Sequence, residues 1–186
     1  MFVSVRRLVE RWRQPRSRRD EVDHLHARLR EERDAASPEE RSIAAELRAL
    51  RIELGEVMGT IRSCASCATG CEAPHGRWDG GFCCGGETLG VFCDDEIAAL
   101  AAAGTRYLPA PTDDHAGCAF RGPVGCTLTP ADRPNLCTVF LCTDATREVH
   151  DRAILGRIEE ISERVNERYQ ALARARHSRL FSAPPQ

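Results

Sequence analysis

SPEERSIAAELRALRIELGEV, residues 37 to 57, contains both a helix start and a packing pattern. Ser37 can cap the first turn with its hydroxyl, Pro38 suits the first helical position, and Glu40 completes a capping box. Beyond that start, Ile43, Leu47, Leu50, Leu54, Val57 and Ile61 recur in alternating steps of four and three. A stripe with that period is a heptad seam, and a seam needs a partner helix. The sequence offers one at its other end. From about Asp144 to His177, the residues Ile154, Ile158, Ile161, Val165 and Leu172 keep much the same spacing, with Arg and Glu between them. The two segments are expected to pack as an antiparallel pair. An earlier helix, from about residue 20 and marked by Val22, Leu25 and Leu29, is expected to join as a third member. A dimeric coiled coil is the competing use of the same stripe, so an oligomer or a protein partner held through the helices stays open.

The expected fold is therefore mainly α. N- and C-terminal helices pack as a hairpin or bundle around a Gly/Cys-rich, loop-dominated middle segment. This divides the chain into an N-terminal helical region (1–62), a cysteine-cluster segment (63–143) and a C-terminal helix (144–186) that packs on the first region. At 186 residues the chain can form one ordinary hydrophobic core without staples.

Charge excludes several function classes. The formal net charge is -2, so no overall field favours nucleic acid or anionic lipid. All 26 basic residues are arginine, which removes any mechanism based on a lysine nucleophile or Schiff base. No stretch approaches the ~20 consecutive apolar residues of a membrane-spanning helix. The N-terminus, MFVSVRRLVERWRQPRSRR, lacks the apolar core and small-residue cleavage site of a secretory signal, so a cytoplasmic location is expected. That segment carries Phe2, Val5, Leu8, Val9 and Trp12 at roughly helical spacing among seven arginines. It reads either as a basic amphipathic helix for a membrane surface or acidic partner, or as a helix laid on the rest of the fold.

The middle segment holds the chemistry. Residues 64 to 142 contain all ten cysteines and eleven of the fourteen glycines. Such a stretch is expected to bury little apolar surface and to need another source of order. One helix is expected within it, DDEIAALAAAG from residue 94, with Asp94 as cap and Gly104 as its stop. Disulfides, a dithiol redox pair and metal ligation compete for the thiols. A cytoplasmic chain disfavours the first, and Cys64 with Cys67 lacks the strand-then-helix context of the second. Metal ligation fits. A C-x2-C step such as Cys64 to Cys67 turns two sulfurs toward one ion, and glycines at 80, 81, 85 and 86 let backbone come close. The adjacent Cys83 and Cys84 suit a larger cluster or two neighbouring centres better than one mononuclear ion.

GCAFRGPVGCTLTPADRPNLCTVFLC, residues 117 to 142, resembles the second half of the cysteine-cluster family of YkgJ type, a family of zinc- or iron-chelating domains. Cys118, Cys126, Arg133, Pro134, Cys137 and Cys142 occupy that half's places, and Arg-Pro-x2-Cys is its most specific part. The family's first half runs C-x2-C-x2-CC. Here Cys64, Cys67 and Cys71 lie close together, while the insert EAPHGRWDGGF displaces the pair to Cys83 and Cys84. LGVFCDDEIAALAAAG is similar to the family's short strand before an acidic-capped helix. The likeness spans about 80 residues and excludes the terminal helices.

The resemblance implies a metal-binding module with Cys64, Cys67, Cys71, Cys83, Cys84, Cys118, Cys126, Cys137 and Cys142 as its ligand set. A larger relative, the flagellin lysine N-methylase, carries a similar cluster and is taken to hold iron-sulfur. No methyl-donor or nucleotide motif accompanies it here, and no catalytic acid-base pair is evident. An iron-sulfur cluster of the four-iron, four-sulfur kind is the favoured centre, for electron transfer, redox sensing or metal handling, with zinc as the alternative. In the zinc alternative the segment is structural and the heptad helices bind a protein partner. Arg133 could donate to a cluster sulfur, or simply hold a turn before Pro134. His75 and His115 could complete a site, whereas His24, His26, His150 and His177 read as bystanders on charged helix faces. Asp113 and Asp114 read as a solvated loop, and Trp78 and Phe82 as a roof over the site.

Overall fold

A computed structural model of the chain describes residues 17–60, 88–111, 118–122, 125–141 and 143–182. These residues are mainly helical. Helix α1 spans Arg18–Ala35 and α2 spans Pro38–Val57, ending in a 3-10 turn at Met58–Thr60. Short α3 (Thr88–Val91) leads into α4 (Asp94–Ala102). Strands β1 (Arg121–Gly122) and β2 (Gly125–Cys126) form a two-stranded antiparallel ladder. A 3-10 turn (Pro130–Asp132), α5 (Asn135–Val139) and α6 (Thr143–Glu148) precede the long α7 (Arg152–Ser182).

The helix start at Ser37 forms as its residue types dictate. The Glu40 amide donates to Ser37 Oγ at 3.1 Å and the Ser37 amide donates to Glu40 Oε2 at 2.9 Å. A second capping box, between Ser17 and Asp20, starts α1 three residues before Asp20. Downstream of Ser37 the heptad seam finds its partner within the chain. Ala44, Leu47, Leu50 and Leu54 of α2 bury against Ile158, Ile161, Val165 and Leu172 of α7. Ion pairs along the edges establish the direction. Glu53 meets Arg157 and Arg164, Glu46 meets Arg168, and Glu40 meets Arg179, so one number falls as the other rises. The pair is antiparallel, and its seam is covered by the chain itself.

Three expectations are corrected. First, α1 joins the assembly mainly through α4 rather than lying along the α2–α7 pair. Its Val22, Leu25 and Leu29 enter a second core with Val91, Phe92, Ile97, Leu100, Leu108 and Phe120. The described part of the middle segment thus has an apolar core of its own. Second, the helix expected from about Asp144 breaks between α6 and α7, where the Asp151 carboxylate accepts from the Ala153 amide at 2.7 Å and starts the final helix. Third, Cys93, not Asp94, occupies the cap position of α4, and it gives no side-chain cap bond. Asp94 instead pairs with Arg28 of α1, while Gly104 ends α4 with φ +89° as expected.

Helix α4 is wedged between the two cores. Ile97 and Leu100 face the α1 side, and Ala99 faces the α2–α7 side. Its alanines let the helices approach closely. The same economy holds at Gly55 of α2, where an added Cβ would lie 2.4 Å from Pro130 Cβ. Gly55→Ala should therefore destabilise by about 1–3 kcal/mol despite alanine's better helix propensity, as a fall in the denaturation midpoint. Among the described residues, no helix is long and apolar enough to cross a membrane.

Candidate metal centre

Three of the sequence-predicted ligands fall among the described residues: Cys118, Cys126 and Cys137. All three belong to or pack against the α1–α4 core, Cys118 just before β1, Cys126 in β2 and Cys137 in α5. Cys118 is buried within that core, and half-buried Cys126 and Cys137 pack against it.

The first two are positioned by the hairpin. The Arg121 amide donates to the Cys118 carbonyl at 3.1 Å, closing a turn just before β1. Register then pairs Arg121 with Cys126 and Gly122 with Gly125. Gly125 has φ +117°, a conformation that costs glycine little. An added Cβ at Gly122 would lie 2.8 Å from Thr127 Cγ2. Phe120 is the anchor between the two cysteines. Its ring lies 5.3 Å from that of Phe92, and its carbonyl accepts from the Thr127 amide at 2.8 Å and from Thr127 Oγ1 at 3.0 Å.

A polar chain ties Cys118 to the start of α1. Buried Thr88 donates from Oγ1 to Glu21 Oε2 at 2.6 Å and accepts from the Ala119 amide at 2.9 Å. Glu21 in turn pairs with Arg18 at 2.8 Å. Burial pushes the Cys118 thiol up to about 11, and the nearby Cys126 adds to that rise; the hydrogen bonds at Phe120 and Thr88 oppose it. At neutral pH the metal-free thiol therefore keeps its proton, and ligation there would release one.

Cys137 arrives on α5, where Leu136 and the flanking Phe140 are exposed while Val139 and Cys137 pack against the two cores. Polar contacts add to that anchorage. The Asn135 amide donates to Glu96 Oε1 at 2.6 Å, and Asn135 Nδ2 donates to Asn166 Oδ1 of α7 at 2.8 Å. Glu96 Oε2 accepts from Arg51 Nη2 at 2.9 Å, in an ion pair whose side chains are 2% and 5% exposed. Burial pushes the Glu96 carboxyl above its ordinary range, opposed by Arg51 and the Asn135 amide.

The remaining candidates separate clearly. Arg133 is half-buried and donates from Nε to the Leu128 carbonyl at 3.2 Å, which clamps the turn between β2 and α5. Cys93, outside the predicted ligand set, is exposed with Sγ 3.5 Å from the Tyr169 hydroxyl. His26 is no bystander: its Nε2 accepts from the Leu108 amide at 3.0 Å, and its ring stacks on Tyr107 at 4.9 Å. It tethers α1 to the segment after α4. Cys64, Cys67, Cys71, Cys83, Cys84, Cys142, His75, His115, Asp113, Asp114, Trp78 and Phe82 lie outside the described residues.

Among the described residues, no three His, Cys, Asp or Glu side chains converge as a group that could hold a metal ion. Cys118, Cys126 and Cys137 could serve a metal centre only as part of a donor set that further thiols complete. In comparisons with known proteins, no family model, no curated sequence and no solved structure matches the chain.

Proposed function

We propose that this chain is a metal-binding protein with a cysteine-ligated centre, an iron-sulfur cluster in the first place, serving electron transfer, redox sensing or metal handling. The observation that carries the reading is that Cys118 is buried in the α1–α4 core and that Cys126 and Cys137 are partly buried against the same core. Supporting it are the C-x2-C step at Cys64 and Cys67, the glycine-rich surroundings of Cys83 and Cys84, and the resemblance of the Arg133-Pro134-x2-Cys137 segment to the YkgJ-type family. Cys118, Cys126 and Cys137 would hold the group together with thiols from residues 64–84 and Cys142. A cluster bound there would supply one-electron chemistry. The chain's own part is to bury the Cys118 sulfur, fix the spacing of Cys118 and Cys126 by the hairpin, and present Cys137 on α5.

Ligand substitution tests the assignment. Cys67→Ser and Cys137→Ser should each lower bound metal and stability together, because ligation at such a centre is coupled to folding. Cys93→Ser, at the exposed thiol beside Tyr169, should leave metal content unchanged. Full metal retention in both Cys67→Ser and Cys137→Ser would remove these two ligands from the set.

A further inference from the structure

Helix α5 is short, and both Leu136 and Phe140, on either side of Cys137, are exposed. Val139 packs on the α2–α7 core and Cys137 on the α1–α4 core, and polar contacts add to this apolar anchorage. The N-terminal amides of a helix have no partner within it, and here the first of them is met by Glu96, a buried carboxylate from another helix. Glu96 has its second oxygen on Arg51, which belongs to the seam-bearing α2. Asn135 completes the circuit by reaching α7 through Asn166. One carboxylate thus connects the helical pair to the cysteine-bearing turn.

We propose that Glu96 is a positioning residue for Cys137, holding α5 in register with the α2–α7 pair so that Cys137 stays against the core that Cys118 and Cys126 also join. The proposal rests on the reading of these three cysteines as part of a metal centre. A hydrogen bond from the Asn135 backbone amide to Glu96 then helps set the position of Cys137, and the Arg51 guanidinium holds the other carboxylate oxygen in place. The helical pair, which carries no cysteine of its own, becomes part of the centre's support.

Residue-resolved amide hydrogen exchange on the full-length chain tests this, read at Thr138 and Phe140, whose amides donate to the Pro134 and Leu136 carbonyls. Glu96→Ala should speed exchange at both by at least about tenfold relative to the change in the seam of α2 and α7. The double variant Arg51→Met/Glu96→Gln keeps an acceptor for the Asn135 amide without leaving a buried charge, and should return both rates to near the unsubstituted protein's.

Glu96→Ala strands the Arg51 charge and can prevent folding, so a second comparison is needed. Asn135→Pro removes the amide donor at a first helical position that tolerates proline, and Pro134 already has the extended ψ of 156° that a following proline requires. Asn135→Ala removes only the side chain. Faster exchange at Thr138 and Phe140 in Asn135→Pro than in Asn135→Ala supports the proposal. Equal rates in these two variants, or a uniform rise across α2, α5 and α7 in Glu96→Ala, would overturn it. Metal bound to the unsubstituted protein is measured in the same preparations. Its absence overturns the metal-centre reading, while the exchange pattern still decides the role of Glu96.

Discussion

Arg51→Met should destabilise the protein by about 3–5 kcal/mol, because it leaves the Glu96 carboxylate buried without its ionic partner. Glu96 is 3% exposed and Arg51 2%, so water cannot replace the lost contact. Arg51→Met/Glu96→Gln should recover most of that loss in urea denaturation, since methionine keeps the buried stem and glutamine keeps an acceptor for the Asn135 amide. The single variant also has a pH signature. Burial already raises the Glu96 pKa, and removing Arg51 takes away its main opposing influence. A carboxyl whose folded pKa lies above its unfolded value binds more protons when folded, so it favours the folded state in acid and loses that contribution as pH rises. Arg51→Met should therefore be least destabilised at acidic pH, with the deficit growing through and above the ordinary carboxylate range. A deficit independent of pH would mean that Glu96 does not take up a proton in the variant.

Phe120→Ala should cost about 3–5 kcal/mol and loosen the hairpin that carries Cys126 and follows Cys118. The ring is fully buried against Phe92, and the same residue's carbonyl anchors both bonds from Thr127 across the hairpin. The lost packing leaves a cavity at the point that separates Cys118 from Cys126, so bound metal should fall along with the denaturation midpoint. Phe181→Ala provides the contrast. That side chain is 87% exposed, and its removal should change stability by no more than about 0.5 kcal/mol. Similar losses in the two variants would contradict the placement of Phe120 in the core.

The helical frame was legible because its signals are local or periodic. The capping box at Ser37 and Glu40 depends on residues three apart, and the seam from Ile43 to Val57 repeats often enough to demand a partner. The docking of α1 was not legible. Val22, Leu25 and Leu29 declare an apolar face without saying which element covers it, and α4 is buried on so many sides that its alanines give no directional pattern. Arg51 was hidden for a related reason. An arginine between Leu50 and Ile52 reads as solvated helix surface until Glu96, 45 residues away in sequence, is brought beside it. At the site, cysteine spacing pointed to ligand chemistry, but Thr88, Glu21 and Asn135 are ordinary polar residues with no spacing signal of their own. Their importance lies in long-range contacts, of Thr88 with Glu21 and the Ala119 amide and of Asn135 with Glu96.

Cys118 shows how burial and ligation bear on each other. Its raised pKa favours the neutral thiol, so a metal bound there would have to displace that proton. The hairpin holds the backbone on both sides of that sulfur, which would reduce the ordering required if a metal were bound.

The most direct measurement is the metal and acid-labile sulfide content of the full-length protein purified without oxygen, with its visible absorption spectrum. Iron with matching sulfide and a broad brown absorption is the predicted result. Zinc without sulfide would contradict the iron-sulfur assignment and make the cysteine segment a structural knot. Protein that folds with neither metal bound would contradict the account's central claim.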